Sequence, residues 1–148
     1  IKYFFQFLLV MMGFFIFKIL GPNLSSKIGG KLFQKIGPLF RSTKVIHSNV
    51  KRVFPEIKTE DLTKITCSMW NNYGRVFAEY MFMKDFRINT SNEKIQIIGN
   101  EILEDIKKNN KKVIFVSGHF SNFELMAMCL EKLGINLCAI YRPLNNIF

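Results

Sequence analysis

Eighteen residues from Tyr3 to Leu20, YFFQFLLVMMGFFIFKIL, are interrupted by polar side chains only at Gln6 and Lys18. Wound as a helix they span about 27 Å, close to the ~30 Å hydrocarbon core of a bilayer. Lys18 lies near the end, where its stem can snorkel to the headgroups. Gly21-Pro22 then stops the helix. A buried core helix, an interfacial helix and a cleaved signal peptide share parts of this pattern. The run is long for a signal peptide and no A-x-A-like site comes after it, so a membrane anchor over residues 1–22 is expected.

Residues 24–40, LSSKIGGKLFQKIGPLF, place Lys27, Lys31 and Lys35 on one helical face and Leu24, Ile28, Leu32 and Ile36 on a neighbouring one. This is a basic amphipathic helix suited to an anionic membrane surface. Gly29-Gly30 weakens it as a free helix. Residues 43–54 repeat Val45, Ile46, Val50, Val53 and Phe54 at helical spacing, and Pro55 ends the segment. His47 sits among polar neighbours and reads as a solvated surface histidine. Thr59 is expected to cap a long helix, with Glu60 and Asp61 in its first turn. Its stripe is Leu62, Ile65, Met69, Tyr73, Val76 and Tyr80, widened by Trp70, Phe77 and Met81. Such a stripe is core before it is anything else.

Further along, EKIQII (93–98) alternates as a short strand, and Asn100 caps a solvated helix, EILEDIKKNN, with acids first and lysines last. KVIFVS (112–117) is a β-branched run of the kind found in buried parallel strands. Residues 118–121 (GHFS) form a turn, 122–133 (NFELMAMCLEKL) a helix ended by Gly134, and 136–141 (NLCAIY) a second strand. The order is βαβ. It predicts an α/β domain with its ligand site at the carboxyl ends of the strands, where His119 lies.

Charge changes the picture at one end. The 148 residues hold 21 Lys and Arg against 11 Asp and Glu, a net +10. Ten of the cations but only one acid, Glu56, fall in residues 1–58, so nearly all the excess adjoins the apolar run. A basic collar after an anchor places the residues beyond Gly21 in the cytoplasm. Nucleic acid could draw the same charge, but no aromatics interleave with the lysines as stacking platforms, so anionic lipid is expected and no nucleic acid. Cys67, Cys129 and Cys138 form no CxxC pair and read as buried free thiols.

His119 and Glu124 can converge only with the histidine on the turn and the glutamate in the first turn of the helix. A carboxylate at one imidazole nitrogen would fix its tautomer and stabilise imidazolium, leaving the other nitrogen to take a proton from a hydroxyl. A structural alternative stands beside this: Ser121-Asn122-Phe123-Glu124 also fits the S-x-x-E capping box. One His with one Glu offers too few ligands for zinc. No metal or other cofactor is expected, and no Cys or Ser is placed as a covalent nucleophile.

The segment SGHFSNFEL (117–125) resembles the GHFGNWE block of the bacterial lipid A biosynthesis acyltransferases. YRPLNN (141–146) is similar to that family's YRPLDNP, and NVKRVFP (49–55) to its upstream NL-x-x-x-FP element. Ser121, Phe123, Asn145 and Ile147 stand where the family has Gly, Trp, Asp and Pro. The resemblance implies transfer of a fatty acyl chain from acyl carrier protein to a hydroxyl of a lipid A precursor. It makes His119 the general base, Glu124 its partner, and Asn122 and Arg142 substrate-binding residues, although Arg142 is equally a turn-region surface cation. It implies a cell inner membrane location, and a glycerolipid-acyltransferase-like sheet with helices on both faces, of which residues 59–148 would be part. Residues 23–58 would form a membrane-proximal basic segment. Later family blocks would lie beyond Phe148, so the isolated chain is expected to be truncated and inactive. Two alternatives remain: a non-catalytic membrane-bound remnant, and a glycerol-phosphate acyltransferase, whose motif ends in Asp rather than Glu.

Overall fold

A computed structural model describes residues 2–88 and 95–140. The elements are α1 (Lys2–Leu20), α2 (Pro22–Phe40), α3 (Thr43–Val53), α4 (Thr59–Glu79), a 3-10 turn (Tyr80–Phe82), α5 (Met83–Ile88), α6 (Asn100–Lys108) and α7 (Glu124–Lys132). The chain divides into two compact units, residues 6–81 and residues 1–5 with 82–148.

In the first unit α2 and α4 pair antiparallel, through faces built from small residues. Ser25, Ser26, Gly29, Gly30 and Gly37 are buried on α2, and Leu62, Thr66, Trp70, Gly74 and Ala78 on α4. Both sets recur mainly at four-residue steps, the ridges that interdigitate in helix packing. The backbones approach so closely that a Cβ on Gly29 would overlap the Gly74 carbonyl oxygen, and one on Gly37 would overlap the Trp70 ring. The glycine pair expected to weaken α2 is therefore where it packs. Of the apolar stripe expected on α4, Leu62 and Trp70 are buried, while Ile65, Tyr73 and Tyr80 are exposed and the buried ridge runs instead through Thr66, Gly74 and Ala78.

Leu20 ends α1 as expected, and Pro22 opens α2 at the position where its missing N–H costs nothing. The Ser25 hydroxyl donates to the Phe17 carbonyl at 2.7 Å, tying the two helices. The Phe77 ring gathers Phe14, Phe33 and Phe17 at centroid distances of 5.0, 5.4 and 6.5 Å. A part-buried polar cluster closes one end of the pair: Arg75 donates to Asn71 at 2.8 Å and to Ser26 at 3.3 Å, and Ser26 to Glu79 at 3.1 Å. Beyond Phe17, α1 buries no residue and exposes Phe5, Leu9, Met12, Phe15 and Ile19. With a mean hydropathy of 2.0 it is long and apolar enough to cross a membrane.

In the second unit α5 packs against α7. Helices α6 and α7 end alike. Asn110 (φ 46) and Gly134 (φ 79) take the left-handed conformation just past each helix. Lys111 then donates to the Ile106 carbonyl at 3.0 Å and Ile135 to Leu130 at 3.1 Å, the paired bonds of a Schellman motif. Along α6, Asn109 and Lys111 donate to Asp105 and hold its carboxyl below the usual range, Lys111 contributing most.

The expected α/β sheet is not formed. Among the described residues there is no strand, and the architecture is α-helical. Residues 112–117 and 136–140 carry neither helix nor ladder, and Ile114 and Val116 are about nine-tenths exposed. β-Propensity measures how well a side chain fits a pleated, packed surface, so without neighbouring strands such a run has nothing to pair with. Glu93, Lys94 and Tyr141 lie outside the described residues; residues 95–97 form no strand.

Candidate active site

His119 therefore sits on a turn that follows an unpaired segment, not at the end of a strand. The Phe120 N–H donates to the Gly118 carbonyl at 2.8 Å, closing a three-residue γ-turn with His119 at its centre. The imidazole is exposed, and its ring meets the edge of Phe123 at a centroid distance of 4.4 Å and 61° between planes. The sequence pattern assigns Phe123 no role beside the histidine. An aromatic four residues further on was the available signal.

Ser121 is in the left-handed region at φ 46. It turns the chain from the histidine into α7. Glu124 is the first residue of that helix and is half-buried, as is Asn122 just before it. The N-cap is Phe123, and no side chain caps the helix. Glu124 therefore stands at the first helical position, two short of the place a capping box requires. Its carboxylate lies at the positive end of the helix dipole. Among the described residues no hydrogen bond or ion pair joins His119 to Glu124. The chain passes from His119 on the turn to Glu124 at the start of α7. Arg142 falls outside the described residues.

Cys129, on the same helix, is half-buried, and that burial pushes its thiol up against the opposing pull of Lys132. A thiol held protonated is a poor nucleophile at neutral pH. Cys67 and Cys138 are exposed rather than buried, since neither lies on a packed helix face. Among the described residues no three His, Cys, Asp or Glu side chains cluster as metal ligands. What the segment offers is an exposed imidazole braced by a ring, with a carboxylate at the adjoining helix N-terminus.

The sequence model of bacterial lipid A biosynthesis acyltransferases matches residues 1–148. The chain belongs to that family. It is similar to the lipid A biosynthesis lauroyltransferase of Escherichia coli (strain K12), with 28% identity over 111 residues, which cover 72% of this chain and 34% of that protein. The chain thus spans about a third of the length of this relative. No solved structure matches it.

The positive φ at Ser121 favours glycine at this position. A side chain at positive φ crowds the following carbonyl. Ser121→Gly should relieve that conformation, while glycine's freedom in the unfolded chain offsets part of the gain. The expected net change is between zero and about 1 kcal/mol of added stability. Ser121→Val, β-branched, should cost about 1–3 kcal/mol. Chemical denaturation of the three proteins checks the order; valine as stable as glycine would contradict it.

Proposed function

We propose that this chain is part of an enzyme that transfers a fatty acyl chain from acyl carrier protein to a hydroxyl of a lipid A precursor in lipopolysaccharide biosynthesis. The observation that carries this is the family match across all 148 residues. The exposed imidazole in the matched segment supports it. The His119 ring takes the proton of the acceptor hydroxyl as that oxygen attacks the thioester carbonyl carbon. The tetrahedral intermediate collapses with loss of the C–S bond, and the carrier's sulfur leaves with a proton returned by the imidazolium. Glu124 stabilises the imidazolium, Asn122 orients the acceptor, and Arg142 pairs with a phosphate. An enzyme containing this chain, given acyl-loaded carrier and a labelled lipid A precursor, should yield the ester; absence of product with active donor would sink the proposal.

The domain roles accord with this reaction. Residues 1–22 anchor the chain in the cell inner membrane, residues 23–58 lie on its anionic cytoplasmic surface, and residues 59–148 carry the site. The exposed apolar surface of α1 supports the anchor. The exposed Leu24, Ile28 and Leu32, beside lysines on α2, support surface binding. A chain beginning at Asn23 should move from the alkali-resistant membrane fraction to the peripheral or soluble one. Retention in the alkali-resistant pellet would refute the anchor.

A further inference from the structure

Two basic helices in the first unit differ in what surrounds their cations. On α2, Lys27 and Lys31 share their outward strip with exposed Leu24, Ile28 and Leu32, as a bilayer interface requires. On α3 Ile46 is buried while Val45 and Val53 are exposed, and α3 packs against α4. Its other side carries Lys44, His47, Ser48 and Lys51 at three- and four-residue steps, with Arg52 alongside. These five side chains line an open hollow of about 650 Å³. No apolar residue lines it, and no acid occurs anywhere in α3.

Helix stability does not account for this set. Lys51 and Arg52 lie in the last turn, where cations complement the dipole. Lys44 is the second residue of α3, in the first turn, where a cation opposes it. A hollow lined by cations and a hydroxyl, with no apolar residue in its lining, gives hydrocarbon nothing to bury there, and it has no aromatic platform for bases. It suits carboxylates on a folded partner, which it would attract at long range.

We propose that the α3 face, Lys44, His47, Ser48, Lys51 and Arg52, is the docking surface for an acidic protein. On the acyl-transfer function proposed above, on which this identification rests, that protein is the acyl carrier protein. The occupant is chosen by charge complementarity. The bilayer is already served by α1 and the outward strip of α2.

The test uses the full chain in neutral detergent micelles and measures binding of fluorescently labelled acyl carrier protein. Lys44→Glu/Lys51→Glu/Arg52→Glu should weaken binding by about 100-fold, and the glutamine version of the same three positions by a smaller factor. Lys27→Glu/Lys31→Glu/Lys35→Glu should leave carrier binding within about twofold and instead weaken binding to vesicles containing phosphatidylglycerol. Helical circular dichroism identical to the parent confirms that each variant folds. Carrier affinity unchanged in both α3 variants would overturn the proposal. So would loss of vesicle binding in those variants with the carrier unaffected, which would make the face a lipid site. Binding is read without turnover, so the two proposals fail separately. Carrier docking through α3 with no acyl transfer by an enzyme containing this chain would retire the reaction and keep the surface. Transfer with carrier affinity indifferent to α3 would do the reverse.

Discussion

Gly74→Leu should unpack α2 from α4 and unfold the first unit at ordinary temperatures. Even a methyl group has no room there: a Cβ on Gly74 would overlap the Gly29 carbonyl oxygen and sit 2.6 Å from its carbon and 2.7 Å from the Phe33 Cβ. Two of these three are backbone atoms of the facing helix, so no rotamer change relieves the clash. Helix propensity alone favours Gly74→Ala by about 1 kcal/mol. Overpacking costs about 1–3 kcal/mol, so packing should win and Gly74→Ala should lower the melting temperature. Leucine adds three more carbons to the same gap. Its cost should approach the total stability of a small domain, about 5 kcal/mol or more. Gly29→Ala presses on the same contact from the other side, where its Cβ would also lie 3.0 Å from that of Ala78. Once the helices have separated for one methyl group, the second costs less. The double Ala variant should therefore lose less than the sum of the singles. Thermal unfolding followed at the helical dichroism band in micelles decides this, and a melting temperature raised by Gly74→Ala would be incompatible with the packing described.

The same helix pair shows what can be read from a chain by its hydrophobic pattern. The existence of α1 to α4 was legible because each has either a continuous apolar run or a 3.6-residue period, and Pro22 and Pro55 mark boundaries. The contact faces were not. Hydropathy gives Ser25, Ser26, Gly29, Gly30, Gly37 and Gly74 no weight, yet close backbone approach is what small residues provide. The visible clue was their spacing, Ser25 to Gly29 and Ser26 to Gly30, a small residue every fourth position. The strands failed for another reason. KVIFVS states a local preference, but a ladder needs a partner strand, and that information is not local. At the site, the turn and the helix after it were legible from Gly118 and the helical period. The start of α7 was not: it begins at Glu124 rather than Asn122, and this shift of two positions takes Glu124 out of capping-box register. Nor did spacing reveal the Phe123 ring against His119.

In an enzyme containing this chain, His119→Ala should lower acyl transfer by roughly 10²–10⁴, the scale of general-base assistance. The fold should be kept, because the imidazole is exposed and among the described residues its one ring contact is Phe123. Glu124→Gln is the sharper test. With Phe123 at the N-cap and no side-chain cap, a purely structural Glu124 contributes its charge at the helix N-terminus, about 0.3–1 kcal/mol. Glutamine should then leave turnover near normal. Proton transfer gives a different result. Catalytic hydrogen bonds often tighten only when substrate is bound, so the Glu124 carboxylate can still serve the imidazole in the complex. Removing that charge disfavours imidazolium. Turnover should fall by a factor within the same range, while the melting temperature hardly moves. A Glu124→Gln variant with normal turnover would leave His119 to act without Glu124.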